Sequence, residues 1–170
     1  MPLDLKFDFV AGAAVLFDKE LSSEKRARAK AFADDVFARL REMYEDDFGG
    51  NFNVVRSDSD YTPSCLPSVA VDTFAALEPP AGEGKRRCIL FIFHGELGEV
   101  AEDTAAAIVS YMNDHGRALG RTRIFFISES EELVKKINEA YYLGVWGIPE
   151  SEIGDATADE VARYIYHGLA

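Results

Sequence analysis

The chain has 170 residues, of which 48% are hydrophobic and 28% are charged, a composition typical of one folded domain over residues 1–170. Because its formal net charge is −12, a nucleic-acid backbone or an anionic membrane surface would repel it. The longest early apolar stretch, residues 9–17, is far shorter than the roughly 20 residues that cross a bilayer. Two cysteines without metal-site spacing predict a reducing, cytoplasmic location, and no metal or cofactor is expected. We therefore expect neither nucleic acid nor a membrane as a partner.

A strand, a long helix and a second strand are predicted for the first third of the chain. Apolar and polar residues alternate over residues 3–9, the period of a half-buried strand, and the apolar stretch 10–17 continues it. Ser22 or Ser23 can cap the helix that follows. The apolar face of this helix consists of Ala29, Phe32, Val36, Leu40 and Met43. Residues 52–56 predict a short strand.

Loops and turns are predicted for most of the segment between residues 57 and 87. Residues 57–68 are polar and contain two prolines, which indicates a loop. Residues 69–75 predict a short piece that is either extended or helical. A turn rich in glycine, proline and charge is predicted for residues 79–87. The next segment, 88–93, is apolar on both faces, as a central strand of a parallel sheet is.

Helix and strand patterns alternate beyond that central strand. Apolar residues between 105 and 112 have helical spacing, and residues 123–128 form a second strand that is apolar on both faces. Ser128 and Glu131 have the spacing of a capping box for the next helix.

A short strand and a last helix are predicted for the C-terminal part. The short strand covers residues 145–148, and Thr157 with Glu160 forms a second capping box that opens the helix. Strands that alternate with helices predict the fold class: a three-layer α/β sandwich with a mainly parallel central sheet.

Two strands that are apolar on both faces end in residues that can do chemistry. In open α/β sheets, functional groups gather at the carboxyl ends of the strands. The first of these strands is followed by His94 and Gly95, and the second ends at Ser128, two residues before Ser130. If the strands are neighbours, an imidazole faces hydroxyl groups across the edge of the sheet. We therefore predict a candidate site at these four residues.

The segments around these residues also match in order a known pair of motifs. Residues 89–98 are Ile-Leu-Phe-Ile-Phe-His-Gly-Glu-Leu-Gly, and residues 119–127 are Leu-Gly-Arg-Thr-Arg-Ile-Phe-Phe-Ile. This resembles the caspase family, in which a strand precedes Ser-His-Gly-Glu-x-Gly and a helix then leads to a segment ending Phe-Phe-Ile-Gln-Ala-Cys-Arg-Gly. The upstream strand, helix and strand also fit, so that the resemblance covers roughly residues 5–132.

The resemblance implies nucleophilic catalysis by a cysteine paired with a histidine. By position, His94 matches the general acid and base, and Gly95 matches a backbone N–H donor to the oxyanion. Ser130 stands where the family has its cysteine. We expect this to remove most activity, because a hydroxyl is far harder to deprotonate than a thiol. The acidic residues on both sides of Ser130 also disfavour an anionic nucleophile.

Arg28 and Ser128 are the predicted substrate-binding residues. Arg28, with Arg26, follows the first strand, near where the family keeps an arginine for the aspartate of its substrates. Residues 133–170 match no caspase segment. The hypothesis is a caspase-like pseudoenzyme, whose residual catalysis is left open, that acts in regulated cell death or defence by binding a protein or peptide, a related peptidase or itself. Candidates for an exposed binding patch are Phe48, Phe52, Tyr141, Tyr142 and Trp146.

Two alternatives stay open. One is a working cysteine endopeptidase that carries an inactivating Cys-to-Ser change at Ser130. The other is a haloacid-dehalogenase-like phosphatase, because residues 58–62 match an Asp-x-Asp-x-Thr loop with Asp58 as nucleophile, Asp60 beside it and Mg²⁺ to neutralise the phosphate. Residues 154–159 match the distal acidic motif of that family. Against it, two polar residues separate the apolar strand from Asp58.

Overall fold

The computed structural model describes residues 9–48, 52–77, 87–95, 122–140 and 144–169, with four further helical positions at 103, 106, 107 and 110. A five-stranded sheet in the order β2-β1-β3-β4-β5 lies at its centre, and all neighbouring strands are parallel. The strands are β1 (Phe9–Asp18), β2 (Phe52–Tyr61), β3 (Arg87–His94), β4 (Thr122–Ser128) and β5 (Val145–Pro149). The carboxyl ends of all five strands therefore lie at one edge of the sheet.

Helices cover both faces of the sheet. They are α1 (Ser23–Phe48), α2 (Leu66–Ala76), α3 (Glu131–Glu139) and α4 (Asp155–Leu169). One hydrophobic cluster joins the sheet to α1 and α4, and a second joins the opposite face to α2 and α3. The predicted three-layer α/β sandwich is confirmed. Among the helices in the described ranges, none is long and apolar enough to cross a membrane.

The middle strand β3 is buried along almost its whole length, as its continuous apolar sequence predicts. Residues 88–94 are all buried, and the Phe91 ring packs against Phe37 and Phe125 with centroids 5.7 Å and 5.2 Å away. Burial of each such side chain stabilises the fold by about 1.5–3 kcal/mol. This strand fixes the position of its last residue, His94, and of Gly95 after it.

The segment after residue 56 differs from the predicted loop. β2 continues to Tyr61 because it stays in register with β1 up to the pair Asp18–Tyr61. Its last polar residues are exposed, which is compatible with the place of β2 at the end of the described sheet. Two short helical elements then begin at Pro63 and Leu66. Proline fits the first turn of a helix, where its missing N–H would have no helical partner.

Both predicted capping boxes are displaced. The N-cap of α3 is Ser130 rather than Ser128, and α4 begins at Asp155, which places Thr157 inside its first turn. Ser22 does cap α1, since its Oγ accepts the N–H of Lys25 at 3.2 Å. The predicted strand at 3–8, the turn at 79–86, most of the helix at 105–112 and the aromatics at 141–142 lie outside the described residues.

Candidate functional site

Four polar side chains meet where β1, β2, β3 and β4 end. These are Asp18, Tyr61, His94 and Ser128, and none is more than 2% exposed. His94 and Ser128 are partners in the parallel register of β3 and β4, so that the predicted neighbourhood of these two strands is confirmed. Asp18 and Tyr61 join them because β1 lies between β2 and β3. We call these four residues the strand-end cluster.

Tyr61 holds the imidazole of His94. Its hydroxyl lies 2.7 Å from Nδ1 of His94 and 2.9 Å from the carbonyl oxygen of Phe93, and the two rings stack with centroids 5.9 Å apart. Burial, together with the nearby charge of Asp18, raises the pKa of Tyr61 far above its ordinary value, so that the phenol keeps its proton. When this proton goes to the Phe93 carbonyl, Nδ1 of His94 donates to the phenol oxygen.

Asp18 is the second residue that positions His94. Its Oδ2 lies 3.9 Å from Nδ1 of His94 and accepts the N–H of Gly95 at 3.0 Å, while Oδ1 accepts the N–H of Glu20 at 2.9 Å. Two backbone donors thus satisfy a carboxylate that is almost completely buried. A carboxylate beside Nδ1 favours the tautomer with the proton on that nitrogen. Asp18 and Tyr61 therefore orient the imidazole in the same sense.

Gly95 approaches Asp18 so closely that a side chain would not fit without adjustment. A Cβ at this position would lie 3.1 Å from Oδ2 of Asp18. The glycine thus allows the short contact between its own N–H and that carboxylate. This N–H was predicted to stabilise an oxyanion, but here it donates to Asp18.

Ser128 ties the ends of β3 and β4 together. Its hydroxyl donates to the carbonyl oxygen of Gly95 at 2.9 Å and accepts the N–H of Ser130 at 3.1 Å. A predicted substrate-binding residue therefore uses its one hydroxyl proton inside the fold.

Ser130 is the N-cap of α3. Its Oγ accepts the N–H of Leu133 at 3.3 Å, and its backbone is extended, with φ −81° and ψ 104°, as N-cap residues are. The acidic neighbour Glu129 forms an ion pair with Lys25 of α1. The hydroxyl that the resemblance aligns with a catalytic cysteine thus caps a helix.

Arg28, the other predicted substrate-binding residue, connects α1 to the segment after β5. Its guanidinium donates to the carboxylate of Glu150 at 2.8 Å and to the carbonyl oxygen of Ile153 at 3.2 Å. Arg26 lies over the ring of Phe17, 4.8 Å from its centroid. The structure therefore does not bring these arginines into the strand-end cluster.

The acidic pair of the phosphatase alternative lies within β2 rather than in a loop after it. Asp58 accepts two hydrogen bonds from Arg56, at 2.8 Å and 3.0 Å, and Asp60 pairs with Arg26. Within the described part of the chain, no group of three or more His, Cys, Asp or Glu residues could hold a metal ion. The arrangement does not favour a Mg²⁺-dependent nucleophile at Asp58.

Cys88 lies too far from the strand-end cluster to replace the nucleophile. Cys88 is buried at the start of β3, six residues and about 20 Å of extended chain before His94. Cys65 is exposed and precedes α2. The strand-end cluster thus holds an oriented but completely buried imidazole, and the hydroxyls of Ser128 and Ser130 are engaged in the fold.

Comparison with known proteins adds no family assignment. No protein-family model matches the chain, and no curated protein matches it in sequence. The caspase resemblance therefore rests on the sequence motifs alone.

Proposed function

We propose that the chain is a caspase-like pseudoenzyme that acts by binding another protein. His94 ends β3, and Ser130, in place of cysteine, follows β4, the order that the resemblance implies. These two strands are parallel neighbours, so that the two positions share one edge of the sheet. The arrangement supports a common origin with the peptidases.

The observation that carries the loss of catalysis is the internal use of both reactive groups. The hydroxyl of Ser130 caps α3, and the N–H of Gly95 donates to Asp18. A peptidase needs the first group as its nucleophile and the second to stabilise the oxyanion. Because each already has a partner within the fold, neither serves a substrate in this conformation.

The capping role also supports a native serine at position 130 over a cysteine changed to serine. Serine is among the best N-cap residues, since its oxygen accepts a backbone N–H of the first turn. Glu131 and Glu132 follow in that turn, where negative charge is favourable. These neighbours suit a helix start better than a thiolate site.

We also propose a reducing, cytoplasm-like compartment for this binding function. Cys65 and Cys88 are free thiols in the structure, one exposed and one buried. Exposed free thiols are typical of compartments in which disulfides do not persist.

Peptide hydrolysis tests the proposal. We would assay Cys65→Ser, as the parent that lacks the exposed thiol, and Cys65→Ser/Ser130→Cys against fluorogenic peptides with aspartate or arginine at the cut site. We expect no turnover from either protein. Cys65→Ser/Ser151→Cys is the matched control, because Ser151 is exposed in the turn Glu150–Glu152. A thiol-reactive peptide inhibitor should label this control at least as fast as the variant with Cys at 130.

Two outcomes would overturn the proposal. Turnover by the parent protein that His94→Ala abolishes would show that the site is catalytic as it stands. Turnover restored by Ser130→Cys and lost again with His94→Ala would show a peptidase inactivated at a single position.

A further inference from the structure

An aromatic groove lies on the sheet face beside β5, far along the sheet from β1. Trp146 of β5 is 51% exposed and Tyr164 of α4 is 37% exposed, with ring centroids 5.7 Å apart. Phe125 packs edge-on against Tyr164 at 6.0 Å. These residues, with Glu152 and Glu160, line a cavity of about 170 Å³, which we call the β5–α4 groove. Of the five aromatics predicted for a binding patch, only Trp146 is shown to be largely exposed among the described residues.

Two carboxylates that line the groove form no ion pair with the residues that the structure describes. Within the part of the chain that the structure describes, neither Glu152 nor Glu160 forms an ion pair, whereas Glu150 pairs with Arg28 and Asp159 pairs with Arg163. Two free carboxylates thus flank an exposed indole on a protein whose net charge is −12. Such a lining attracts cations.

The aromatic cluster already accommodates one guanidinium group of the chain itself. The guanidinium carbon of Arg123 lies 4.9 Å from the centroid of the Tyr164 ring. A cation over an aromatic face is attracted by the ring quadrupole, and tryptophan attracts it most strongly. The exposed indole of Trp146 offers a second ring for the same kind of contact.

The outer edge of β5 is closed to an added strand. The side chain of Asn138 accepts the N–H of Gly147 at 2.8 Å and donates to its carbonyl oxygen at 3.0 Å. Pro149 has no N–H to donate. Since strand addition needs these edge groups, an occupant binds through its side chains in the groove and not as a sixth strand.

We propose that the β5–α4 groove binds a protein segment in which an arginine or lysine stands next to an apolar residue. The cation lies over Trp146 and between Glu152 and Glu160, and the apolar side chain fills the cavity over Phe125. An exposed tryptophan is a typical anchor of protein interfaces. Carboxylates that meet a cation of the partner add charge complementarity. This inference rests on the proposed function, because it names the partner class and the surface of the binding role.

Trp146 is the only tryptophan of the chain, so its fluorescence reports on the groove directly. The probe is acetyl-Leu-Arg-Pro-Leu-Arg-Gly-amide, in which proline prevents strand pairing, and the control peptide has glutamate in place of both arginines. We expect a saturable change of tryptophan emission with the basic peptide and none with the acidic one. Glu152→Gln/Glu160→Gln should weaken binding roughly three- to tenfold, because the variant loses two exposed ion pairs with the basic peptide.

The matched control is Glu45→Gln/Asp72→Asn, which makes the same change of net charge at two exposed residues on α1 and α2. We expect it to bind the basic peptide as the unaltered chain does. Equal weakening by both double variants would show attraction by net charge alone and would overturn the proposal. The absence of any emission change would also overturn it. So would an emission maximum that shifts with protein concentration in the absence of peptide, which would indicate a second copy in the groove.

The failures of the two proposals are distinguishable. If the basic peptide does not bind and no peptidase turnover is found, the groove proposal is wrong and the pseudoenzyme proposal stands. If turnover depends on His94 and the peptide binds at Trp146, the pseudoenzyme proposal is wrong and the groove stands as a separate binding site.

Discussion

Replacement of Ser130 tests whether this residue acts as a helix cap. Ser130→Ala removes the oxygen that accepts the N–H of Leu133 at 3.3 Å. Loss of an N-cap side chain costs about 0.5–2 kcal/mol, typically about 1 kcal/mol. Ser130→Asn keeps a capping oxygen without adding charge next to Glu129, so we expect its free energy of unfolding to stay within about 0.3 kcal/mol of the unaltered chain.

Urea unfolding followed by circular dichroism measures these differences. With a slope of about 1–3 kcal/mol per molar urea, the alanine variant should unfold at a midpoint lower by roughly 0.3–1 M, with the slope unchanged. Ser68→Ala, an exposed serine within α2, is the control for a serine change without a capping role. If the alanine and asparagine variants were equally destabilised, or if neither differed from the unaltered chain, Ser130 would not act as a cap.

Three further predictions concern other contacts of the fold. Folding raises the pKa of Tyr61 above its ordinary value of about 10. The free energy of unfolding should therefore be unaffected by ionisation of this residue below pH 10 and fall above it, by about 1.4 kcal/mol per pH unit. Tyr61→Phe should remove this alkaline loss in urea midpoints measured between pH 9 and 11. Gly147→Ala should cost about 1–3 kcal/mol in urea unfolding, because its Cβ would lie 3.0 Å from the backbone oxygen of Val134, and an unchanged midpoint would contradict this. Arg28→Met should cost less than about 1 kcal/mol, since the Arg28 side chain in the pair with Glu150 is 48% exposed; a larger loss by the same assay would show that the bridge is more than a surface contact.

The strands were predictable where their sequence is apolar on both faces. Residues 88–93 and 123–128 carry that pattern, and both are central strands. The second half of β2 was missed because its residues 57–60 are polar and exposed. Its extended form depends on pairing with β1, some 40 residues earlier in the chain, which local sequence patterns do not report.

The candidate site was predictable only in part for a similar reason. His94 and Ser128 end consecutive central strands, so their proximity followed from assuming neighbouring strands. Asp18 and Tyr61 were missed because their place beside His94 depends on β1 lying between β2 and β3. An aspartate directly after the apolar strand 10–17 was the available signal for Asp18. The hydrogen bonds of Gly95 and Ser130 depend on local geometry that a motif does not encode.

Amide hydrogen exchange at Gly95 tests most directly whether the group that would stabilise an oxyanion serves the fold instead. NMR of the unaltered chain should show this amide protected from exchange, with protection lost in Asp18→Ala and largely kept in Asp18→Asn, which retains an acceptor oxygen. Exchange of the Gly95 amide as fast as in an unfolded peptide, while the β3 amides stay protected, would contradict its engagement by Asp18 and reopen the case for a catalytic site.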